Sequence, residues 1–295
     1  MTAIDLTVET LRSIPLPEPD ESGSKEDRGR VLVAGGSRET AGALLLAGEA
    51  ALRAGAGKLR LATAQGIAAS VGVATPEARV FSLFETPAGG IDARAADEVL
   101  RLASGVDALL LGPGMVEELA ATSLAAAVLA KVDGPAVLLD AGCLPCLSAD
   151  RGALRRLGGR AVITPHAGEM AKVMGMEREA VEADPLAVAR RAADELGAVV
   201  ALKGPDTFVA APGGEAYRYA GGRVGLATSG SGDVLAGIVA GLLARGAEPV
   251  RAAAWGVWLH GEAGNRLARR IGRIGFFARE LAAEVPALMD EGGPE

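Results

Sequence analysis

The sequence is poor in the residue types that build metal and redox centres. It contains 2 cysteines and 2 histidines among 295 residues, and only 3% of its residues are aromatic. Cys143 and Cys146 have the spacing C-x-x-C, but they stand alone, and the two histidines add no metal-ligating cluster. We therefore predict a buried, reduced cysteine pair in a cytoplasmic protein.

The sequence also lacks a membrane-spanning segment and a strongly cationic stretch. Although 49% of the residues are hydrophobic, no window is long and uncharged enough to cross a bilayer. Residues 1–10 lack the basic start and apolar run of a secretory signal. A net charge of −7 without a basic block argues against nucleic acid as the main partner.

Short apolar runs alternate with helical stretches along most of the chain. Residues 1–29 carry prolines and a charged run, which predicts an N-terminal arm with one short helix. No linker or internal repeat divides residues 30–295, so we predict a single domain there. Predicted strands cover residues 31–34, 58–63, 107–112, 136–140, 161–164 and 198–203, and a hairpin at the sheet edge covers 207–211 and 216–219. Strands buried on both faces and alternating with helices predict a mostly parallel sheet in a layered α/β fold.

Polar residues recur where the predicted strands end. In open α/β sheets, ligands bind beyond the carboxyl ends of the strands. One polar strand end is ordinary turn chemistry, whereas six in one fold indicate a binding site. These ends carry Ser37, Pro113-Gly114, Asp140, Thr164-Pro165-His166, Lys203 and Ser231 to Asp233.

Each of these side chains also has a purely structural interpretation. His166 opens a predicted helix and could be only a helix-start residue. Lys203 ends an apolar strand, where a cation is costly unless it pairs with a carboxylate such as Asp206 or reaches a nucleotide phosphate. Asp140 could merely cap the segment that follows it. Both interpretations stay open at this point.

The segment 225–237 is a small-residue loop that leads into an amphipathic helix. Gly230 and Gly232 let the backbone approach a ligand closely, and Ser231 is predicted to cap the helix. The free N–H groups and the positive dipole at a helix start suit a phosphate. Asp233 is repelled by an anion there, unless chemistry needs a base or the carboxylate only caps the helix. A Gly-rich turn before a helix can also be a plain connection.

Several longer motifs follow one another in a recognisable order. They are GGS at 35–37, GALLLAGEAALRAGAG at 42–57, LGPGM at 111–115, LLDAGCL at 138–144, ITPHAGEMAKV at 163–173, LKGPDTFVA at 202–210 and LATSGSGDVLAGIVAGLLARG at 226–246. This set resembles the NAD(P)H-hydrate dehydratases of the ribokinase-like superfamily, over about residues 29–264. T-P-H-x-G-E together with K-G-x-D-T is specific within the superfamily. The resemblance implies a three-layer α/β/α ribokinase-like fold with a mostly parallel central sheet.

The chain departs from the family pattern at a few positions. Thr40 stands where relatives often carry an aromatic residue, and Gly142 replaces the second acid of a D-A-D-like motif. Arg223-Val224 replaces an Asn-Pro-like pair, and Ser229 stands where glycine is common. These differences concern the fit of the substrate rather than the class of protein.

The resemblance implies repair of damaged nicotinamide cofactors. In the implied reaction, the (6S)-hydrates of NADH or NADPH are dehydrated at the expense of a nucleotide. The nucleotide is ADP, which gives AMP and phosphate, or it is ATP. Mg²⁺ is the expected counter-ion of the phosphates, with ligands that the sequence does not identify. The resemblance also implies a standalone dehydratase that forms homo-oligomers, as tetramers in relatives.

Motif matches assign the site residues that this chemistry needs. Asp233 is the expected general base, which takes the proton of the hydrate's hydroxyl group as that group attacks the terminal phosphoryl group. The expected hydrate contacts are Ala43, Gly114, His166 and Asp233, and the expected nucleotide contacts are Lys203, Gly204, Pro205, Asp206, Thr207, Gly230, Ser231 and Gly232.

Two rival functions use the same motifs. A small-molecule kinase acting on a hydroxyethylthiazole- or pyridoxine-type alcohol would keep Asp233 as its base, but its product would stay phosphorylated. A non-catalytic nucleotide sensor would keep the fold, yet it has no use for a base beside the phosphate.

Overall fold

The computed structural model describes residues 2–18 and 22–293, in which ten strands form one sheet. The strands are β1 (Ile4–Asp5), β2 (Arg30–Ala34), β3 (Lys58–Ala64), β4 (Ala78–Leu83), β5 (Ala108–Leu111), β6 (Ala136–Leu139), β7 (Ala161–Ile163), β8 (Val199–Leu202), β9 (Thr207–Ala210) and β10 (Ala216–Tyr219). The helices are α1 (Val8–Ser13), α2 (Ala41–Arg53), α3 (Gln65–Ala74), α4 (Ala96–Ala103), α5 (Glu118–Leu129), α6 (Cys146–Ala149), α7 (Ala167–Met174), α8 (Arg178–Ala183), α9 (Pro185–Leu196), α10 (Ser231–Ala244), α11 (Pro249–Arg270) and α12 (Ala278–Gly292).

The strand order β1-β10-β9-β8-β7-β6-β5-β2-β3-β4 confirms the mostly parallel sheet. The predicted hairpin is also present, because β9 pairs antiparallel with both β8 and β10. Its predicted place at the sheet edge is wrong by one strand. The short strand β1 covers β10 in parallel register, with Ile4 opposite Tyr217. Two residues are too few to show a strand period in the sequence. The boundary between an arm and a domain stays a prediction.

Two apolar layers lie on opposite faces of the sheet, as the alternation of side chains along β2 shows. Val31 and Val33 join the core under α2, α10, α11 and α12, whereas Leu32 and Ala34 join the core under α4, α5 and α9. All four side chains are fully buried. Strands that bury both faces require a helical layer on each side, which gives the three-layer α/β/α architecture.

Helices α2 and α10 pack closely through two glycines. A Cβ atom at Gly237 would lie 2.2 Å from the carbonyl oxygen of Ala47, and one at Gly241 would lie 2.4 Å from that of Ala51. This register runs in the same direction along both helices, so α2 and α10 are parallel. Because α2 follows β2 directly, both helix starts lie at the carboxyl edge of the sheet. That edge is where the polar strand ends meet.

The cysteines behave as predicted. Cys143 and Cys146 are free and buried, and burial raises the pKa of each thiol, to about 12 for Cys146.

In the described ranges 2–18 and 22–293, no helix has the length and apolarity that a bilayer crossing needs.

Candidate active site

Lys203 occupies the centre of the polar edge. It follows β8, and its backbone N–H donates to the carbonyl oxygen of Pro165, 2.8 Å away. Its Nζ donates to Asp140 Oδ1 at 3.1 Å and lies 3.9 Å from Glu169 Oε2. Thr164 Oγ1 donates to the same Asp140 oxygen at 2.8 Å. The ends of β6, β7 and β8 therefore converge on one ion pair, in which Asp140 is buried and Lys203 is partly exposed.

The structure corrects the expected carboxylate partner of Lys203. The side chain of Asp206 forms an ion pair with Arg218 instead of Lys203, and Arg218 Nη2 lies 2.7 Å from Asp206 Oδ2. Asp140, at 3% side-chain exposure, is the actual partner. Its side chain does not cap the following short helix. Burial lowers the pKa of Lys203, but the charges of Asp140 and Glu169 outweigh burial and hold the pKa above its ordinary value.

Asp233 is the third residue of α10 and is partly buried. Burial raises the pKa of its carboxyl group to about 6; the negative charge of Asp140 adds to the rise, the ammonium of Lys203 opposes it, and Glu169 adds to it. The capping residue Gly230 has no side chain, and within residues 2–18 and 22–293 the start of α10 shows no capping box, so Asp233 at its third position does not act as a reciprocal cap. A carboxylate with this pKa is ionised at neutral pH and suits a general base.

The start of α10 differs from the expectation that Ser231 caps it. Gly230 is the capping residue, with a φ of 87° that favours glycine, and Ser231 is the first helical residue. Its Oγ lies 2.8 Å from His260 Nε2 on α11. Burial lowers the pKa of His260 to about 4, and the charge of Lys203 adds to this effect. At neutral pH an uncharged imidazole therefore holds the hydroxyl group of Ser231.

Ala43 and Gly114 come together although they are far apart in sequence. A Cβ atom at Gly114, whose φ is 68°, would lie 2.9 Å from Ala43 Cβ and 2.6 Å from the carbonyl oxygen of Thr40. Thr40 Oγ1 donates to the carbonyl oxygen of Gly114 at 2.6 Å. Ala43 belongs to the first turn of α2, the helix that packs against α10. Thr40, which departs from the family pattern, thus fastens the loop at Gly114.

His166 serves as a helix-start residue, as its structural interpretation predicted. Its Nδ1 accepts from the N–H of Glu169 at 3.1 Å, and Glu169 Oε2 accepts from the N–H of His166 at 2.8 Å. This reciprocal capping box begins α7. The ring is still 59% exposed at the side chain and faces the cavity described below. A structural role and ligand contact are therefore compatible here.

Gly142 is also tightly placed. A Cβ atom there would lie 2.1 Å from the carbonyl oxygen of Met115. Any side chain at this position would need the backbone to shift. This close packing explains why glycine stands here in place of the second acid of the D-A-D-like motif. Nothing in the structure explains Ser229 in place of glycine.

A cavity of about 680 Å³, here called the loop cavity, opens beside the first turn of α10. It is lined by six of the predicted nucleotide residues: Lys203, Gly204, Pro205, Thr207, Ser231 and Gly232. A Cβ atom at Gly232 would lie 3.4 Å from Lys203 Nζ, so the loop and the lysine face each other. Asp206 and Gly230 are not on this wall, and of the predicted hydrate residues only His166 is.

Several lining residues were missed from the sequence. Tyr219 and Arg223 line the loop cavity and are joined through α11: Tyr219 donates to Glu262 at 2.8 Å, and Arg223 donates to Asn265 at 2.8 Å. His260 lines it as well. Its rarity, as one of two histidines, was a signal available in the sequence. The position of Tyr219 depends on tertiary packing and left no local signal, whereas Arg223 was marked in the sequence only as a departure from the family pattern.

Comparison with known proteins agrees with this geometry. Residues 31–287 match the sequence family described as NAD(P)H-hydrate dehydratase. The ADP-dependent (S)-NAD(P)H-hydrate dehydratase of Xanthomonas campestris is 48% identical over 97% of this chain and 96% of that protein. A bifunctional NAD(P)H-hydrate repair enzyme of Moorella thermoacetica is 41% identical over 93% of this chain and 52% of that protein.

A solved structure shows the same architecture. The ADP/ATP-dependent NAD(P)H-hydrate dehydratase of Bacillus subtilis, co-crystallised with ATP and Mg²⁺, is 28% identical, with a TM-score of 0.84 over 99% of each chain. The family match covers most of the chain, and the relative from Xanthomonas aligns nearly end to end. The chain therefore belongs to the NAD(P)H-hydrate dehydratase family.

Proposed function

We propose that this chain is an ADP-dependent (S)-NAD(P)H-hydrate dehydratase, which returns (6S)-hydrated NADH or NADPH to the reduced cofactor and converts ADP to AMP and phosphate. The observation that carries the proposal is the nearly end-to-end identity to a dehydratase of this name, and Asp233 at the start of α10 supplies the base that the reaction needs. The 48% identity to a protein named for ADP supports this nucleotide, and the ATP-bound relative makes ATP the alternative.

The first step transfers a phosphoryl group. Asp233 accepts the proton of the hydrate's hydroxyl group while the hydroxyl oxygen attacks the terminal phosphorus of ADP. A bond forms between that oxygen and phosphorus, and the bond between phosphorus and the bridging oxygen breaks, which releases AMP. Ala43, Gly114 and His166 are proposed to hold the hydrate so that its hydroxyl group faces Asp233.

The start of α10 and Lys203 stabilise the charge that this transfer develops. The free N–H groups around Gly230 to Gly232 and the helix dipole face the transferring oxygens, and the ammonium of Lys203 stands opposite Gly232. The segment 203–207 is proposed to hold the rest of the nucleotide. The N–H donors at the start of α10 are part of the helix and need little reorganisation during the reaction.

The second step is an elimination. Hydroxide is a poor leaving group, whereas phosphate is a good one. The lone pair of the ring nitrogen assists as the carbon–oxygen bond breaks and phosphate departs with the bonding electron pair. The neighbouring carbon gives its proton to water to restore the double bond, and Asp233 returns its own proton to solvent. The sum is hydrate plus ADP giving reduced cofactor, AMP and phosphate.

Mg²⁺ fits this site as a companion of the nucleotide. Among residues 2–18 and 22–293 no group of three metal-ligating side chains comes together. Mg²⁺ commonly uses one or two carboxylates plus substrate phosphates and water, and Asp140 and Glu169 offer such oxygens beside Lys203. When bound, the ion would neutralise phosphate charge.

A homo-oligomeric state and a cytoplasmic location stay predictions of the family resemblance.

The decisive experiment follows the fate of the phosphoryl group. Hydrated NADH or NADPH is incubated with ADP, and free phosphate and the absorbance of the reduced ring are recorded together. We expect one phosphate for each reduced cofactor regenerated and no stable phosphorylated product.

The rival kinase is tested in the same assay. Hydroxyethylthiazole, hydroxymethylpyrimidine and pyridoxine are offered as competing acceptors. Robust phosphorylation of one of these alcohols, with no gain in absorbance from the hydrate, would overturn the dehydratase assignment and leave the kinase.

A further inference from the structure

A network of hydrogen bonds presents the guanidinium group of Arg223 at the wall of the loop cavity. The Nε of Arg223 donates to Asn265 Oδ1 on α11 at 2.8 Å. Asn265 Nδ2 donates to Tyr219 Oη at 3.1 Å and to Glu262 Oε1 at 3.0 Å. Tyr219 Oη donates to the same Glu262 oxygen at 2.8 Å, which closes the network. The network therefore fixes Nε of Arg223 and with it the position of the guanidinium group.

The terminal amino groups of Arg223 remain available. Among residues 2–18 and 22–293, Arg223 forms no ion pair, and its Nη1 and Nη2 have no hydrogen-bond partner. By contrast, the nearby Arg218 uses both Nε and Nη2 on the carboxylate of Asp206. The side chain of Arg223 is also exposed. A guanidinium group that is held at one edge and free at the others can receive a ligand in the cavity.

The surroundings of Arg223 suit a nucleobase rather than a phosphate. Tyr219, Val224 and Leu226 line this part of the cavity, and Leu226 packs on α11, where a Cβ atom at Gly264 would lie 2.6 Å from its Cδ2. Aromatic and apolar side chains of this kind bind flat rings well. The groups proposed above for the phosphates, Lys203 and the first turn of α10, are at the other end.

Helix α11 gives the spacing between the two ends of the cavity. His260 contacts Ser231 at the start of α10, and Asn265 holds Arg223. The two residues are five positions apart, which is about 7.5 Å along the helix axis. With the terminal phosphate of ADP at the start of α10, the second phosphate and the ribose cover this separation. Arg223 then meets the nucleobase and not the transferring phosphoryl group.

We propose that the guanidinium group of Arg223 packs against the nucleobase of ADP and makes this chain prefer purine to pyrimidine nucleotides. A planar cation stacks on an aromatic ring, and a purine offers a larger face than a pyrimidine does. The inference rests on the proposed function and deepens it, because it names the residue that selects the base. Arg223 belongs to the pair that departs from the Asn-Pro-like pattern of the family, so this contact is a feature of the chain itself.

The test compares four nucleoside diphosphates in variants of Arg223. KM is measured for ADP, GDP, CDP and UDP during turnover of hydrated NADH. Arg223→Ala removes the guanidinium group, Arg223→Asn introduces the residue of the family pattern, and Arg223→Lys keeps the charge without the flat group. Arg279→Ala removes an exposed arginine of α12 that does not line the cavity, and it is the matched control.

We expect Arg223→Ala and Arg223→Asn to raise KM for ADP and GDP by about fivefold or more, which corresponds to about 1 kcal/mol. KM for CDP and UDP should stay within about twofold, which also shows that the variants are folded. Arg223→Lys should lose the purine preference as well, because an ammonium group has neither the flat face nor the Nε that Asn265 holds. Arg279→Ala should match the parent protein.

Two results would overturn the proposal. The first is an unchanged KM for ADP and GDP in Arg223→Ala. The second is a rise for CDP and UDP that equals or exceeds the rise for ADP and GDP. If Arg223→Lys then restored all four KM values, the arginine would bind a phosphate instead of the base.

A binding measurement separates this inference from the proposed function. If the parent protein turns over no hydrate with any nucleotide, the dehydratase assignment fails. The role of Arg223 is then judged from the Kd of the four nucleotides, measured by calorimetry without a hydrate. A loss of affinity for ADP and GDP alone in Arg223→Ala, absent in Arg279→Ala, supports the role. An equal loss for all four nucleotides, no change, or no nucleotide binding by the parent overturns it.

Discussion

Replacing Asp233 with asparagine should abolish turnover and stabilise the protein at the same time. Asparagine keeps the shape of the side chain but cannot accept a proton. Loss of a general base costs about 10²–10⁴-fold in rate. The nucleotide contacts proposed for Lys203 and the loop are untouched, so the affinity for ADP should stay within a few-fold of the parent value.

The pKa of Asp233 sets the pH dependence of the parent protein. Because burial and the charge of Asp140 raise this pKa to about 6, the base is protonated below that pH and ionised above it. We expect kcat/KM to rise tenfold per pH unit below pH 6 and to level off above it. In the Asp233→Asn variant, the residual kcat/KM should not show this rise with pH, which we call the acid limb of the profile.

The same shift has a consequence for stability. The folded pKa is raised from 3.8 to about 6, so the folded state binds the proton more tightly than the unfolded state does. The stability linked to this group is fully present below pH 3.8 and is lost as the pH rises through about 6. At 1.36 kcal/mol per pKa unit, the ionised carboxylate costs about 3 kcal/mol at neutral pH.

Urea unfolding at two pH values measures this cost. Near pH 4 the parent and Asp233→Asn should be nearly equal in free energy of unfolding, and near pH 8 the variant should be more stable by up to about 3 kcal/mol. Glu179→Gln, on the exposed face of α8, is a control for removal of a carboxylate. Turnover of Asp233→Asn within a few-fold of the parent would refute the role of Asp233 as base. Equal stabilities at both pH values would refute the cost of its burial.

Three further changes test the surroundings of this residue. Lys203→Met leaves the buried Asp140 without its partner and should lower the free energy of unfolding by about 3 kcal/mol. It should also lower the affinity for ADP more than the affinity for the hydrate. Equal losses of affinity for the two ligands would indicate that the ion pair is only structural. His260→Ala releases the neighbouring serine hydroxyl and should raise the KM for ADP several-fold without moving the KM for the hydrate; equal changes in the two KM values would argue against this role. Gly237→Val forces a Cβ atom to 2.2 Å from the carbonyl oxygen of Ala47 and should lower stability by about 3 kcal/mol in thermal or urea unfolding, whereas an unchanged midpoint would show that the helices can separate freely.

The long, strongly patterned elements were predictable from the sequence. The strands near residues 31–34, 136–140 and 198–203 and the helix after residue 230 are apolar runs bounded by glycine or charge, and all are present. No element was predicted between residues 64 and 106, where the structure has α3, β4 and α4. β4 is an edge strand with several partly exposed side chains, so it lacks the continuous apolar run that marks a strand buried on both faces.

The candidate site was predictable in composition but not in pairing. Polar strand ends placed Asp140, Lys203 and Asp233 at one edge of the sheet. The partner of Lys203 was predicted from closeness in sequence, as Asp206, whereas the fold supplies Asp140 from 63 residues away. Likewise, the cap of α10 follows from the positive φ of Gly230, which a backbone imposes and a residue preference does not reveal.

The charges around Lys203 offer a final test, because they tune the base without touching it. The negative charge of Asp140 raises the pKa of Asp233, while Lys203 opposes the rise. Asp140→Asn removes that negative charge and also frees Lys203 from its partner, and both changes lower the pKa of Asp233. The amide oxygen can still accept from Thr164, so the strand ends stay joined.

We therefore expect the acid limb of kcat/KM in Asp140→Asn to move to lower pH, while the rate on the plateau changes less than it does in Asp233→Asn. Asp206→Asn is the matched control, because Asp206 pairs with Arg218 and is not among the groups that shift Asp233. A full pH profile of each variant decides the matter. If the limb stays in place in Asp140→Asn, the group that titrates near pH 6 is not Asp233, and the assignment of the base must be given up.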